Sequence, residues 1–333
     1  MQLGMQSKPP VGVVFDCDLG TGIDDALALA MLFGFQGKGE MRVIALSVSR
    51  PNLNSAVFCD AVSRFYMGEP GPFGGGMLPI GLTLADHMAD DTPMVSEPLA
   101  HRTIEGKPAF SRGIQKLNDT AEPIPLIRNA LTAQHDQNAM VVLAGPATNL
   151  AKVLDLPGAR DLIAHKVRHL VVAAGAFPGG PPESNIRSDM GAARKLFAEW
   201  PTPIVASGNE VGQALPFPGA SIEKDFAWSL AHPIVDAYRA YKTIPYDAPS
   251  WAMTAVLYAV RPQEGYFQLS GPGTIAVLED GRTSFTPSAD GKHRYLVVDP
   301  AQKERVVQTY TEIASLKPAG RPQRVRPQQK KQQ

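Results

Sequence analysis

The fold of this chain is decided near its start, by the stretch Phe15-Asp16-Cys17-Asp18-Leu19-Gly20-Thr21-Gly22-Ile23-Asp24-Asp25-Ala26-Leu27-Ala28. Apolar residues predict a strand at Val11–Cys17, and apolar periodicity predicts a helix at Ile23–Phe35. No charged residue occurs between Ala26 and Phe35, so this helix is expected to be buried on nearly every face. A glycine-containing loop joins the two elements.

Strands and helices alternate along the rest of the chain. Further strands are predicted at Met41–Val48, Ala139–Ala144, His169–Ala174 and Pro203–Ser207. Further helices are predicted at Ser55–Tyr66, Pro125–His135, Thr148–Leu154 and Gly191–Trp200. Short strands separated by Gly and Asp turns between Tyr266 and Asp299 predict a small antiparallel extension near the C-terminus. The expected fold class is α/β, with a mainly parallel sheet flanked by helices on both faces.

The 333 residues divide by composition into three segments. Residues 1–10 are expected to be a flexible N-terminus, and residues 11–318 are expected to form a single domain. Residues 319–333 are rich in Gln and basic residues, which is typical of a disordered tail. Inside the domain, Gly68–Gly113 and Phe177–Asp189 are rich in Gly and Pro and are expected to be loops.

The overall composition excludes several classes of protein. Hydrophobic residues make up 44% and charged residues 19%, which excludes whole-chain disorder. Basic and acidic residues both number 32, so no electrostatic footprint for nucleic acid or for an anionic membrane is expected. Cys17 and Cys59 have neither disulfide-framework nor metal-site spacing and are expected to be reduced core thiols.

The chain carries no recognisable targeting or membrane segment. Its first ten residues lack the basic start and apolar run of a signal peptide. No apolar stretch approaches the ~20 residues that span a bilayer. The protein is therefore expected to be cytoplasmic as the chain stands, or secreted or periplasmic if a leader was removed.

The four aspartates of the opening stretch are predicted to meet at one edge of the sheet. Because side chains alternate along a strand, Asp16 and Asp18 are expected to share a face at its carboxyl end. Asp24 and Asp25 fall in the first helical turn, where the helix dipole favours carboxylates. Such a cluster requires a raised pKa or a bound cation, and Ca²⁺ is the hard ion that prefers oxygen ligands. A helix-capping pair with two solvated aspartates is the alternative.

Two other motifs resemble this stretch. Gly20-x-Gly22 is similar to a dinucleotide-binding loop, but Asp25 stands at the third glycine position and would repel a pyrophosphate. Asp16-x-Asp18 also resembles the aspartyl-phosphate motif of haloacid-dehalogenase-type phosphatases. Those proteins have Thr or Val four residues after the first aspartate, where this chain has Gly20. The phosphatase interpretation is the less favoured one.

The stretch resembles the signature of the inosine–uridine-preferring nucleoside hydrolases, Asp-x-Asp-x-Gly followed by Asp-Asp-Ala, with Thr21 and Gly22 as two extra loop residues. Three later segments also resemble this family. Val142–Leu150 resembles its Gly-Pro-x-Thr-Asn turn at a strand end, and Glu183–Ala193 resembles its Glu-x-Asn…Asp block. Thr254–Ala259 resembles its late helix. The resemblance runs from about Val11 to Lys317. It implies the Rossmann-like fold of nucleoside hydrolases.

The resemblance implies a Ca²⁺ ion at the bottom of a cleft, which holds the ribose 2′- and 3′-hydroxyls and one water. By residue matching, the carboxylates of Asp18 and Asp25 and the backbone carbonyl of Ala144 would be ligands of the ion. Asp24 would accept a proton from the water that attacks C1′ as the base departs. Such a metal-assisted general-base mechanism is chemically reasonable for an oxocarbenium-like transition state.

Other positions take supporting roles by the same matching. Asp16 is expected to support the loop, and Glu183 and Asn185 are expected to hold sugar hydroxyls, with ordinary loop polarity as the alternative. The implied partner is a small-molecule nucleoside or riboside, and the frequent dimers and tetramers of the family imply a homo-oligomer.

The late helix departs from the family pattern. Ala252 stands where the family has an aspartate metal ligand, and Trp251 stands where a histidine often acts as leaving-group acid. Asp247 and Tyr246 lie five residues upstream of Ala252 and Trp251 and are candidates to replace the missing ligand and acid. A loop cap is the simpler role for Asp247. Trp251 is either a base-stacking wall or a core residue. Because one carboxylate is missing, Ca²⁺ is expected to bind weakly.

Three functions are therefore open. The first is an N-ribosyl hydrolase that acts through a Ca²⁺-activated water and Asp24. The second is a non-catalytic or altered-specificity homologue that binds ribosides or related sugars, because Ala252 removes a ligand. The third is the phosphatase. Base preference is not readable, because the rim residues that would contact the base lie within Gly68–Gly113.

Overall fold

The computed structural model describes residues 8–69 and 77–319. Ten strands are present in these residues: β1 (Val11–Cys17), β2 (Met41–Val48), β3 (Ile80–Leu82), β4 (Ala139–Leu143), β5 (Val167–Ala173), β6 (Ile204–Ser207), β7 (Phe267–Leu269), β8 (Gly273–Val277), β9 (Thr283–Pro287) and β10 (His293–Val298). They form one sheet in the order β3-β2-β1-β4-β5-β6-β10-β8-β9, with β7 paired to β10. Strands β1 to β6 pair only in parallel, which places their carboxyl ends along one edge.

Helices cover both faces of this sheet. The α-helices of the described residues are α1 (Ile23–Gly37), α2 (Leu53–Met67), α3 (Pro93–Ala100), α4 (Pro123–Thr132), α5 (Thr148–Val153), α6 (Ala159–Lys166), α7 (Ser184–Ser188), α8 (Met190–Glu199), α9 (Asn209–Ala214), α10 (Ala220–Lys224), α11 (Pro233–Tyr241), α12 (Trp251–Val260) and α13 (Lys303–Ala314). One face carries α1, α2, α11, α12 and α13, and the other carries α4, α5, α6 and α8.

The two hydrophobic cores follow from alternation along the strands. In β1, Val13 and Phe15 pack into the core around α1, whereas Val14 packs into the core around α4 and α5. Helix α1 is buried at every residue from Ile23 to Phe35, as its uncharged sequence predicts. A helix buried all round packs against several neighbours, so α1 is the centre around which α11, α12 and α13 pack.

The predicted fold class is confirmed, and most elements of the α/β core lie where the sequence places them. The bounds of β1 and β2 agree with the prediction, and β4, β5 and β6 differ by one or two residues at their ends. Helix α4 begins at Pro123 rather than Pro125, because proline is well accommodated in a first helical turn. Cys17 and Cys59 are both buried and not in a disulfide, as predicted.

Two predicted loops contain regular structure. The segment Gly68–Gly113 includes β3, which pairs with β2, and the helix α3. The segment Phe177–Asp189 includes the short helix α7. Elements of three to eight residues show little periodicity; pairing with β2 stabilises β3, and the side chain of Glu183 caps α7. The Gly74–Gly76 run, most of the N-terminal segment and nearly all of the tail lie outside the described residues.

The C-terminal extension is antiparallel, as predicted, but it is continuous with the main sheet. Strand β10 pairs in parallel with β6 through His293, Arg294 and Tyr295, and in antiparallel fashion with β7 and β8. Within residues 8–69 and 77–319, no helix combines the length and apolar character that crossing a bilayer requires.

Helices α1 and α13 approach so closely that a glycine is needed between them. A Cβ placed on Gly34 would lie 2.1 Å from the carbonyl oxygen of Ile313. Backbone atoms cannot yield as the end of a flexible side chain can, so the two helix axes would have to separate. Glycine in a helix costs about 1 kcal/mol of helix propensity relative to alanine, and here it permits close packing of α13 on α1.

We therefore expect Gly34→Ala to lower the free energy of unfolding by about 1–3 kcal/mol, because overpacking outweighs the gain in helix propensity. Denaturant unfolding followed by circular dichroism measures this. Gly37→Ala is the matched control, because the atom nearest to its Cβ would be 3.7 Å away, and its stability should match or exceed wild type. An unchanged free energy of unfolding in Gly34→Ala would show that α13 can move away from α1 at no cost in stability.

Candidate functional site

A cavity of about 360 Å³ opens at the carboxyl edge of the parallel strands, where α/β proteins bind ligands. Its volume lies within the range of small-molecule sites. The residues that line it are Asp18, Thr21, Gly22, Asp24, Asp25, Ala144, Ala173, Ala174, Pro181, Pro182, Glu183, Ser184, Asn185, Ser207, Asn209, Gln213, Tyr241 and Trp251. The ends of β1, β4, β5 and β6 and the starts of α1, α9 and α12 therefore all contribute to one pocket.

The loop between β1 and α1 places two carboxylates at the floor of this cavity. Gly20 has φ of +105°, a conformation that favours glycine, and it turns the chain towards the helix. Asp24 and Asp25 then fall in the first turn of α1. A Cβ on Gly22 would lie 2.9 Å from Oδ1 of Asp24, so the glycine leaves that oxygen unobstructed.

The start of α12 fixes the other oxygen of Asp24. The backbone N–H of Ala252 donates a hydrogen bond of 2.9 Å to Asp24 Oδ2. Ala252, which the sequence analysis aligned with an aspartate ligand, thus contacts the acidic cluster through its backbone. The carboxylate of Asp24 is therefore oriented by groups from two helices that are far apart in sequence.

Burial raises the pKa values of the clustered carboxyl groups. The pKa of Asp24 rises to about 6 by burial, although the N–H of Ala252 favours the ionised form, and the charge of Asp18 adds to the rise. The pKa of Asp25 lies well above its usual range because of burial and the neighbouring charges of Asp18 and Asp24. Burial also raises the pKa of Asp18. The mutual repulsion expected from the sequence is thus present.

The same groups offer a partial site for a hard cation. The Asp18 and Asp25 carboxyl groups lie within hydrogen-bonding distance of each other, and Asp25 Oδ2 is buried with no hydrogen-bond partner in the described part of the chain. The described residues contain no group of three or more His, Cys, Asp and Glu side chains arranged to hold a metal. Two carboxylates and one carbonyl fit a weakly held oxygen-liganded ion.

Asp16 is separated from the cavity. It is fully buried on the α5 side of the sheet, where Oδ2 accepts hydrogen bonds from Ser47 Oγ and from Asn149 Nδ2, the latter at 2.9 Å. Burial raises its pKa to about 7. Of the two aspartates expected to share a face, Asp18, which follows the end of β1, lines the cavity and Asp16 does not.

The predicted sugar-binding residues line the cavity but are also used structurally. Glu183 caps α7, and its carboxylate accepts hydrogen bonds from the backbone N–H groups of Asn185, Ile186 and Gly175. Asn185 Nδ2 donates to the carbonyl of Ala144 at 2.8 Å and to that of Ala173 at 2.9 Å. Asn185 therefore ties the ends of β4 and β5 together and shares the carbonyl predicted as a metal ligand.

The residues near α12 separate into two groups. Trp251 lines the cavity, and its Nε1 donates to the Asn209 carbonyl at 3.0 Å while the indole lies against Gly212. Asp247 is exposed, does not line the cavity, and accepts a hydrogen bond of 2.8 Å from the backbone N–H of Gly219. Its geometry is that of a loop cap rather than a replacement ligand.

Sequence reasoning missed the far wall of the cavity. Ser207 ends β6, and Asn209 and Gln213 follow on α9, so the edge rule for parallel strands would have pointed to them. Tyr241 ends α11, and no pattern in the sequence indicates that it reaches the cavity. These four residues bring uncharged polar groups to the cavity.

Comparisons with known proteins agree with this architecture. Solved structures with the same fold include a purine-preferring ribonucleoside hydrolase from Gardnerella vaginalis, with a TM-score of 0.66, 18% identity and coverage of 91% of this chain and 99% of that one. The plant nucleoside hydrolase PpNRh1 has a TM-score of 0.63 and 20% identity, with coverage of 92% of this chain and 99% of that one. The type III effector XopQ, solved with adenosine diphosphate ribose, has a TM-score of 0.64 and 13% identity, with coverage of 92% of this chain and 95% of that one.

No curated protein matches the sequence. The family model described as inosine-uridine preferring nucleoside hydrolase matches residues 13–315, which run from within β1 to the end of α13. The matched segment contains the aspartates of the β1–α1 loop and the departures at the start of α12. On this match the chain belongs to the inosine-uridine preferring nucleoside hydrolase family.

Proposed function

We propose that this protein hydrolyses the N-glycosidic bond of ribosides, with Asp24 as the general base. The observation that carries the proposal is the carboxylate of Asp24, which is buried at the floor of a polar cavity and has a pKa of about 6. A carboxylate with such a pKa is mostly ionised at pH 7 and is basic enough to accept a proton in a transition state. Asp18 and Asp25 line the cavity beside it.

The chemistry follows from this geometry. The oxygen of a water molecule forms a bond to C1′, the C1′–N bond breaks with its electron pair leaving on the base, and a water proton passes to Asp24. Positive charge develops on the ribosyl ring in such a transition state. The carboxylates of the floor stabilise that charge, since they are fixed before the reaction begins.

The two neighbours of Asp24 have distinct roles in this proposal. The N–H of Ala252 holds Oδ2, which sets the plane of the carboxylate. Gly22 places no side chain beside Oδ1, so a water molecule has access to that oxygen. Ala252 and Gly22 are therefore positioning residues, and neither contacts the reacting atoms.

Members of this family are typically metal-dependent. In this chain Asp18, Asp25 and the carbonyl of Ala144 would hold a hard cation such as Ca²⁺. A bound ion would supply a lowered pKa for a water molecule and contacts to ribose hydroxyls. The site is weak in our proposal, because Ala252 provides no carboxylate and the Ala144 carbonyl is shared with Asn185.

The substrate in this proposal is a small riboside. Asn185 Oδ1 has no hydrogen-bond partner among the described residues, so it is available to a sugar hydroxyl. Glu183 is the second sugar contact, although its carboxylate already caps α7. Trp251 forms the wall against which a heteroaromatic base stacks.

A second candidate function is a riboside-binding homologue without turnover. The observation in its favour is the start of α12, where an alanine and a tryptophan stand at the positions of the family's metal ligand and leaving-group acid. Such a protein would be stabilised thermally by ribose or ribosides and would release no free base. The phosphatase alternative finds no support in the family match, and it would require phosphate release from an aryl phosphate with Mg²⁺.

Asp24→Asn should lower turnover by ~10²–10⁴-fold, because the amide can still accept the N–H of Ala252 but cannot take a proton. Chromatographic detection of free base and ribose from a panel of nucleosides measures this. Asp136→Asn is the control, since Asp136 is an exposed carboxylate just before β4, at the sheet edge opposite the cavity, and should leave turnover unchanged. Undiminished turnover in Asp24→Asn would remove Asp24 as the base.

Ala252→Asp should bind Ca²⁺ at least ~10-fold more tightly than wild type, which corresponds to about 1.4 kcal/mol. The added carboxylate would restore a third charged ligand, and charge count tunes Ca²⁺ affinity. Isothermal titration calorimetry on chelator-treated protein measures this. Ala252→Asn has the same size without the charge and should gain less. Sub-micromolar binding by wild type would show that other ligands complete the site.

The affinity for Ca²⁺ should increase as the pH rises from 5 to 8. Protons compete with the metal for carboxylates, and the pKa values of Asp18, Asp24 and Asp25 are all raised in the metal-free protein. Each of these groups therefore keeps its proton to a higher pH than an ordinary aspartate does, and Asp24 keeps its proton up to about pH 6. Calorimetry at several pH values, in buffers of different ionisation enthalpy, also counts the released protons. An affinity that does not change with pH would place the metal away from this cluster.

A further inference from the structure

We propose that Ser207 binds the 5′-hydroxyl of the riboside and is a specificity-determining residue of the hydrolase proposed above, on which this assignment rests. Three features of the cavity carry it. The first is the buried hydroxyl of Ser207, which has no partner. The second is its place in a row of residues at the sheet edge. The third is the direction in which a sugar lies along that row.

The hydroxyl of Ser207 is buried without a hydrogen bond. Only 1% of the residue is exposed, and its Oγ has no partner in the described part of the chain. The other buried serines among the described residues all donate their hydroxyl to a protein oxygen: Ser47, Ser55, Ser63, Ser221 and Ser250. An unpaired buried hydroxyl is unfavourable, and Ser207 lines the cavity, so a ligand in the cavity is the natural source of its partner.

Ser207 belongs to a row of residues that crosses the carboxyl ends of three neighbouring strands. Leu143 of β4 pairs with Val172 of β5, so the residues that follow them, Ala144 and Ala173, are level with each other. Ala173 pairs in turn with Ser207, the last residue of β6. Ala144, Ala173 and Ser207 all line the cavity, and we call these three residues the edge row.

The side chains of the edge row lie on one side of the sheet. Ala144 and Ala173 pack in the core that contains α1 and α12, and so does Val205 of β6. Because side chains alternate along a strand, Ser207, two residues after Val205, lies on the same side. The edge row therefore presents two methyl groups and then one hydroxyl, and Ser207 is its only side chain able to form a hydrogen bond.

The sugar of the proposed reaction lies along this row. Asp24 accepts a proton from the water that attacks C1′, so C1′ lies near the start of α1, at the β1 end of the strand order β1-β4-β5-β6. Asn185 donates to the carbonyls of both Ala144 and Ala173, which places its amide at the ends of β4 and β5, beside the ring. C4′, which carries C5′, is on the far side of the ring oxygen from C1′. The 5′-hydroxyl is therefore directed towards β6 and Ser207.

The spacing of the strands agrees with this assignment. Neighbouring strands lie ~4.8 Å apart, so Ser207 is one spacing from Ala173 and two spacings, or ~10 Å, from Ala144. A hydrogen bond at each end of the sugar occupies ~2.8 Å. The remaining ~4 Å is comparable to the separation of two hydroxyl oxygens on one pentose. A single ribosyl group can thus extend from the β4 end of the edge row to Ser207.

A cycle that removes one hydroxyl from the protein and one from the substrate tests this contact. Wild type and Ser207→Ala are assayed with inosine and 5′-deoxyinosine, and with uridine and 5′-deoxyuridine. Removing either hydroxyl should lower kcat/KM by about tenfold, the scale of one hydrogen bond to a buried group. Removing both should cost no more than removing one, because the two hydroxyls are partners. The loss with 2′-deoxyinosine is the control and should add to that of Ser207→Ala.

Thermal unfolding without ligand separates binding from a structural role. Ser207→Ala should melt at the temperature of wild type or above, since no hydrogen bond is lost. Ser63→Ala is the matched control, because it removes a buried hydroxyl that donates to the Asp60 carbonyl at 2.8 Å, away from the cavity lining. This control should melt lower and keep the preference for inosine over 5′-deoxyinosine. A melting temperature of Ser207→Ala as low as that of Ser63→Ala overturns the binding role.

Calorimetric binding of the same ribosides to Asp24→Asn, with and without Ser207→Ala, separates this assignment from the hydrolase function. Additive losses in an enzyme that hydrolyses inosine or uridine overturn the role of Ser207 and leave the hydrolase function intact. Coupled losses in affinity, with no turnover by wild type, support Ser207 as the 5′-hydroxyl contact and overturn the hydrolase function. Neither binding nor turnover with any of these ribosides overturns both.

Discussion

The burial of carboxylates at the junction of β1 and α1 is the constraint on which the rest of the structure depends. Asp24 and Asp25 begin a helix that is otherwise apolar on every face, so the helix cannot rotate to expose them without exposing its core surface. Burial costs free energy, which the raised pKa values of these groups express. Neighbouring elements must therefore supply donors or a cation.

Much of the architecture around the cavity meets that requirement. The start of α12 donates a backbone N–H to Asp24, and Ser47 and Asn149 satisfy one oxygen of Asp16 beneath the site. Close approaches make this possible, since a Cβ on Gly145 would lie 2.8 Å from the backbone nitrogen of Asp18. Strands, loops and helices thus surround the same few carboxyl groups. A ligand in the cavity binds next to groups whose positions are fixed.

The start of α12 joins the acidic cluster through its backbone. The N–H of Ala252 donates a hydrogen bond to Asp24, which ties this helix to the first turn of α1. Trp251, the residue before it, lines the cavity and donates its Nε1–H to the carbonyl of Asn209. Two consecutive residues thus link α1, α9 and α12 around one cavity.

The sequence by itself determined the α/β class, the bounds of β1 and β2, the buried character of α1 and the acidic edge, because hydrophobic periodicity and local turn chemistry are recorded over short distances. The short elements β3, α3 and α7 escaped prediction, since three to eight residues carry little periodicity and β3 depends on pairing with the distant strand β2. Only the tertiary structure decided that Asp16 lies apart from the cavity, that Asp247 caps a loop, and that Ser207 and Tyr241 reach the site. These outcomes depend on contacts between residues that are far apart in sequence, and no local sequence pattern specifies such contacts.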